Sequence, residues 1–325
     1  MVEAAVGLGV LFVLAFGNGA NDAGKSVASL MTDPETAGFR PTYRALFWGG
    51  LFSGLGSLSA VWISGRLFSV FAPEKLLQTT PGYSFILAAI LGAALWIFAG
   101  TILRFPVSTT HAIIGAIVVQ AAFLFGVSNL AWDFLVWRVL LPLAAGPFAA
   151  LVGVYLLDLL IGRRKTKQSE GPARIGGVQW GSSAATAYAR GVNDAPKMAA
   201  LGAFLLLGTP ESDMLPYLVV GAAVVAGSLV WGDRVAKTLV GKAVPLDKGQ
   251  RLRADATTAA LLSAGAYFGD AFSATQVSAA AGVGKRGRQV LRSALRGMGL
   301  AWGVTLPMAG VLAVVASFLV TGFFT

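Results

Sequence analysis

The sequence predicts an all-α polytopic membrane protein made of two inverted-topology repeats of about five spans each. Ten to twelve transmembrane segments are expected, with broken or re-entrant helices among them. Three observations predict this: too little charge for a globule in water, apolar runs of bilayer length, and a pair of polar motifs that returns in the same order in the second half.

Of 325 residues, 56% are hydrophobic and 12% charged, and the mean hydropathy is +0.72. Soluble domains carry about 25% charged residues, so this chain lacks the polar surface to cover a globule. About 20 apolar residues cross a bilayer core. Runs of or near that length occur at Val2–Phe16, Tyr43–Ile63, Tyr83–Leu103, Leu143–Ile161, Met214–Trp231 and Met298–Phe324. Connections this short leave no room for a separate soluble domain. The N-terminus has neither a basic leader nor a small-residue cleavage site and reads as the first span. Cysteine is absent, which excludes disulfide, iron–sulfur and zinc-thiolate chemistry.

The net charge of +10 would suggest nucleic acid on a soluble protein. Here the basic residues cluster between apolar spans and read as cytoplasmic topology signals. The strongest cluster is Arg163, Arg164, Lys165, Lys167 and Arg174. With it inside, the 209–213 connector and the 129–133 stretch fall outside. Spans then cover 2–31, 43–71, 83–103, about 105–125 and 133–161. Five is odd, so a second copy must start from the opposite side. The expected division is a first repeat at 1–161, a cytoplasmic basic loop at 162–177 and a second repeat at 178–325. Both termini are expected outside, in a plasma (inner) membrane.

The second copy is visible in the residues. Gly19-Ala20-Asn21-Asp22-Ala23 matches Gly191-Val192-Asn193-Asp194-Ala195, and Lys25 and Lys197 follow each Asp at the same spacing. Val107-Ser108-Thr109-Thr110-His111 matches Phe272-Ser273-Ala274-Thr275-Gln276. The offsets are 172 and 165 residues, a difference that loop length covers. Repeats of this kind mark many secondary transporters.

Gly17–Lys25 interrupts an apolar run with glycines, amides and a carboxylate. Polar side chains in hydrocarbon face a protein interior or a wet cavity, and unwound backbone is tolerated there. The segment therefore reads as a discontinuous helix offering carbonyls to cations and amides to anions. Pro196 suits a break in the second copy. In Arg104–Gly115, Pro106 precedes a helix start, and Ser108, Thr109 and Thr110 fill its first turn as a neutral anion cradle. Ser273, Thr275 and Gln276 supply the second cradle. Carboxylate, amide and hydroxyl oxygens suit a hard cation such as sodium, and protonation of the aspartates stays open. Lys25 and Lys197 either pair with Asp22 and Asp194 or snorkel, both ranked above contact with substrate. Arg104 and Arg190 read as markers of the membrane edge.

GANDA, GVNDA and FPVSTTHAIIGA together resemble the signatures of the inorganic phosphate transporter (PiT) family, which includes the mammalian sodium–phosphate symporters. The resemblance covers essentially the whole chain. It departs at Ser273–Gln276, where SATQ stands in place of a second STTH. The resemblance implies a symporter, not an enzyme, that imports inorganic phosphate with sodium or protons by alternating access and is often a homodimer. On that reading phosphate meets Asn21, Asp22, Ser108, Thr109, Thr110, Asn193, Asp194, Ser273 and Thr275. The cation meets Asn21, Asp22, Asn193, Asp194 and Gln276, with Asp22 and Asp194 the candidate sodium ligands. The partners are then phosphate, sodium or protons, and lipid, with no nucleic acid and no cofactor beyond co-transported sodium. A sulfate permease of the same fold is the near alternative. An intramembrane aspartyl protease using Asp22 and Asp194 is the distant one, and it lacks the GxGD-like element such an enzyme needs.

Overall fold

The computed structural model describes residues 2–27, 30–31, 39–161, 176–206, 213–242, 248–282 and 287–324. The basic stretch 162–175 and residues 209–212 of the acidic connector, on which the expected sidedness leans, lie outside the described residues. In the first half the elements are α1 (Val2–Val27), α2 (Phe39–Ile63), α3 (Gly65–Val70), α4 (Pro73–Leu76), α5 (Tyr83–Ile102), α6 (Thr109–Phe125), α7 (Trp132–Phe134) and α8 (Leu141–Ile161). In the second they are α9 (Gly177–Leu205), α10 (Leu215–Lys242), α11 (Lys248–Phe268), α12 (Ala274–Ala281), α13 (Gly287–Leu300) and α14 (Leu306–Phe324). Among the described residues six helices are long and apolar enough to cross a membrane, and all six apolar runs of the sequence fall on them. Large apolar side chains such as Trp62, Leu103, Leu160 and Phe318 point outward, as a hydrocarbon solvent permits.

The two halves are interleaved. α1 packs along α10 and α9 packs along α2, so the first helix of each repeat lies on the second helix of the other. Between membrane helices, association rests on close packing, and small residues let backbones approach. Gly19 and Gly191 do this at matched positions. A Cβ on Gly19 would stand 2.2 Å from the Val224 carbonyl oxygen, and one on Gly191 would stand 2.1 Å from that of Ser53.

Two helical hairpins, α5–α6 and α11–α12, carry the interruptions. Each first arm ends in the same way. Arg104 (φ 60°) and Gly269 (φ 84°) take left-handed backbone. Beside them Phe105 N–H donates to the Gly100 carbonyl (2.9 Å) and Asp270 N–H donates to that of Gly265 (2.8 Å). This six-to-one bond closes a helix whose next residue is left-handed. Each second arm then starts on a serine cap. Ser108 accepts from His111 N–H and Ser273 accepts from Gln276 N–H, both at 3.3 Å. A third matched pair lies further on. π-Helical turns at Leu135–Leu140 and Ala301–Thr305 precede Leu141-Pro142 and Leu306-Pro307. Proline supplies no N–H to the ladder, and a widened turn accommodates the gap.

Tyr83 Oη donates to the Glu3 carbonyl (2.5 Å), and Gln78 N–H donates to the Asn129 carbonyl (2.7 Å). Phe123 and Phe318 meet at 6.4 Å. The start of α1, the connections after α4 and α6, and the C-terminal part of α14 therefore share one face.

One expectation is corrected. The Asn-Asp motifs do not unwind: Gly17–Lys25 lies within continuous α1, and its copy lies within continuous α9 with Pro196 inside it. The polar residues find partners on the hairpins, so the backbone has no reason to open. The carbonyl that Pro196 deprives of a donor, that of Val192, accepts from Ser64 Oγ at 2.9 Å.

Candidate functional site

The two hairpin tips meet head to head. Ser108 Oγ and Ser273 Oγ, each the cap of its own helix, lie 2.9 Å apart. His111 Nδ1 is 2.7 Å from Ser108 Oγ, and Gln276 Nε2 is 3.5 Å from His111 Nε2. The tips are held by the motif helices. Asn21 Nδ2 donates to Thr101 Oγ1 (3.0 Å) and to the Phe105 carbonyl (3.2 Å), while its Oδ1 accepts from Val107 N–H (2.8 Å). Its mate Asn193 donates to the Phe272 carbonyl (3.3 Å) and to Asp194 Oδ1 (2.9 Å). Asn193 Oδ1 is buried without a hydrogen-bond partner among the described residues. Asn18 Nδ2 donates to Thr109 Oγ1 at 2.8 Å.

The charges sit where motif helices and tips converge. Asp22 accepts from Lys25 Nζ and, at 2.6 Å, from Arg190 Nη2. Lys25 Nζ also donates to the Val107 carbonyl and to Thr275 Oγ1, both at 2.7 Å. Lys197 Nζ repeats the pattern, donating to Asp194 Oδ1 (3.1 Å), the Phe272 carbonyl (2.7 Å) and Thr110 Oγ1 (2.9 Å). Each lysine takes a carbonyl from its own hairpin and a hydroxyl from the other. Such reciprocity is what a two-fold relation between the repeats produces. All five ionised side chains are at most 7% exposed. Three are cationic and two anionic, so the paired cluster carries a formal charge of one positive.

A small polar cavity adjoins the cluster. Asn18, Asp22, Ser53, Ser57, Arg190 and Asp194 all line it. Both aspartates thus border one space, and neither lysine does.

All ten residues singled out in the sequence lie in this region. Asn21, Ser108, Thr109, Thr110, Asn193, Ser273 and Gln276 are buried. Thr275 is half-buried and bonded to Lys25 and to the Val107 carbonyl (3.0 Å). Pairing, not snorkelling, describes both lysines. Arg190 is a correction: it does not mark a membrane edge but is 2% exposed, bonded to Asp22 and, at 3.1 Å, to Ser278 Oγ. The signal was its register, because Arg190 stands at the repeat position of Asn18 and so belongs inside the motif. Ser53 and Ser57 went unnoticed because a serine on an apolar helix carries no pattern.

Comparison with known proteins gives concordant matches. A family model described as the phosphate transporter family matches residues 18–176 and 163–313. A probable low-affinity inorganic phosphate transporter of Mycobacterium bovis is 28% identical over 315 residues, covering 91% of this chain and 72% of the relative. One of Rhizobium meliloti is 29% identical over 321 residues, covering 93% and 92%. A solved structure titled the sodium-dependent phosphate transporter superposes with a TM-score of 0.83 at 17% identity, over 99% of both chains.

Proposed function

The chain belongs to the phosphate transporter family, and we propose that it imports inorganic phosphate by alternating access, coupled to a cation gradient of sodium or protons. The observation that carries this is the meeting of the hairpin tips beside a buried ion-pair cluster of net positive charge. An isolated charge in a membrane interior is costly, and an anion entering here compensates one.

The proposed phosphate contacts are Ser108, Thr109 and Thr110 from one tip and Ser273 and Thr275 from the other. Asn21, Asp22, Asn193 and Asp194 stand at their boundary, and Asn18 and Arg190 are added from the cavity wall. The cation is assigned to the oxygens of Asn21, Asp22, Asn193, Asp194 and Gln276. In the closed arrangement the hydroxyls are bonded to one another and to the lysines. Substrate would replace the contact between the two serine hydroxyls as the tips part, and rocking of the repeats (1–161 and 178–325, joined by a cytoplasmic 162–177) would expose the site to either side. A plasma (inner) membrane setting with both termini outside completes the proposal, together with the homodimer that the family resemblance implies.

Selectivity for phosphate over sulfate has a specific support. Asn193 Oδ1 is a buried acceptor without a donor among the described residues. Phosphate near neutral pH still carries a proton to offer it, and sulfate does not. Sites built for a donor reject analogues that lack one. The test is uptake of labelled phosphate by proteoliposomes of the full chain, competed by unlabelled sulfate. Uptake that phosphate competes and sulfate does not is expected. Equal competition, or uptake of sulfate alone, would replace phosphate with sulfate as substrate.

A further inference from the structure

We infer that the ammonium groups of Lys25 and Lys197 are tethered cations occupying two repeat-related cation positions, so that phosphate transport by this chain does not require sodium. This rests on the phosphate-transport reading above and deepens it.

The argument starts from the ligands. Lys25 Nζ is surrounded by a carboxylate oxygen of Asp22, the Val107 carbonyl and Thr275 Oγ1. Lys197 Nζ is surrounded by a carboxylate oxygen of Asp194, the Phe272 carbonyl and Thr110 Oγ1. Carboxylate, carbonyl and hydroxyl are the oxygen types that hold hard metal cations. An ammonium has three N–H donors and no acceptor, and each lysine meets three oxygens, so no donor is left for an anion. A simple ion pair one helical turn apart needs neither a hairpin-tip carbonyl nor a hydroxyl from the opposite repeat. Both lysines have both.

Position and charge agree. The lysine side chains are 4% and 0% exposed, and neither lines the cavity that Asp22, Asp194 and Arg190 share. They therefore serve the frame around the substrate rather than the substrate. Three cations share two carboxylates, so the cluster keeps one net positive charge, and Arg190 is its cationic member on the cavity wall. The charge that a metal cation would bring to each carboxylate is supplied here covalently by the chain. A sodium ion at either position would have to share its oxygens with an ammonium, and like charges in a medium of low dielectric repel strongly. Each tether also bridges one repeat's motif helix to the other repeat's tip, the place where a co-transported ion would couple the two.

The experiment uses the full chain in proteoliposomes, with labelled phosphate and an inward gradient of sodium chloride or of choline chloride at equal pH on both sides. The expected result is uptake in choline within about twofold of that in sodium, a difference well under one decade of affinity. Lys25→Ala and Lys197→Ala open one oxygen site each. Each should lose uptake in choline by about tenfold or more and recover part of it in sodium, the signature of an ion filling a vacated position. Sodium-dependent melting gives a second readout for variants too weak to transport. Sodium, relative to choline, should raise the melting temperature of Lys197→Ala and leave the unaltered chain unchanged, since a ligand stabilises only the state that binds it. Uptake by the unaltered chain that needs sodium, or saturable sodium stabilisation of it, overturns the inference and leaves phosphate transport standing. Absence of phosphate uptake in both salts overturns the transport reading instead, and the melting comparison still decides whether the lysines fill cation positions.

Discussion

Arg190→Gln is the substitution with the most to reveal. In the native cluster Arg190 is bonded to Asp22 at 2.6 Å and to Ser278 at 3.1 Å, with side chains 3% and 7% exposed across the ion pair. Glutamine keeps polarity and some reach but removes the charge, which takes the cluster from one net positive to neutral. Removing one partner of a buried pair costs about 3–5 kcal/mol when the other is stranded. Asp22 is not stranded, because Lys25 still holds it, so the stability loss should fall at or below about 3 kcal/mol. Phosphate binding should suffer more. Loss of a buried charge-pair partner at a binding site costs about 2–5 kcal/mol, a weakening of about thirtyfold or more. Binding of labelled phosphate to purified protein reads the affinity, and thermal melting reads the stability. Arg190→Lys keeps the charge without the planar fork and should fall between. A double-mutant cycle with Asp22→Asn should show a coupling of about 1–3 kcal/mol, because the two residues touch. Arg190→Gln that binds phosphate as the native chain does would refute the reasoning that its charge serves the anion.

Three other expectations follow from the same geometry. Gly19→Ala and Gly191→Ala each push a methyl into a facing backbone carbonyl at about 2 Å, and overpacking of this kind should cost about 1–3 kcal/mol, read as a lowered melting temperature in both. Arg104→Gly should stabilise by up to about 1.5 kcal/mol, since left-handed backbone costs a side-chain residue about 1–2 kcal/mol and glycine gives back about 0.5–1 kcal/mol in entropy. The melting temperature should rise with uptake unchanged. Because the chain has no cysteine, single cysteines report sidedness cleanly. Thr80→Cys should react with an impermeant external reagent in intact cells and Thr166→Cys should not. The reverse pattern would invert the topology.

Much of this architecture is readable in the residues. The six helices of membrane-crossing length among the described residues follow from apolar length, and the repeat follows from Asn, Asp and Lys, rare residues that recur in register. The start of α6 was visible because a proline and a run of hydroxyl residues mark a cap. What misled was the meaning of glycine. In Gly17–Lys25 glycine beside polar residues suggested unwound backbone, whereas Gly19 gives α10 room to approach and Asn21 finds its partners on α5 and at the 105–107 tip. Sequence shows that a glycine is needed, not whether conformation or clearance needs it. The left-handed turn at the first tip was hidden because arginine holds the position that glycine holds in the second. The Leu-Pro pair before α8 and α14 was present and went unused, since a proline in an apolar run signals a break without signalling a π turn.

The central claim is that tips from opposite repeats close over the substrate. Ser108→Cys together with Ser273→Cys tests it most directly, because the native oxygens are 2.9 Å apart and thiols in that relation approach disulfide geometry. The account predicts that mild oxidation forms the disulfide, that uptake stops and returns on reduction, and that phosphate slows the oxidation while sulfate does not. A pair that never oxidises, or a disulfide-locked protein that still transports phosphate, would contradict it.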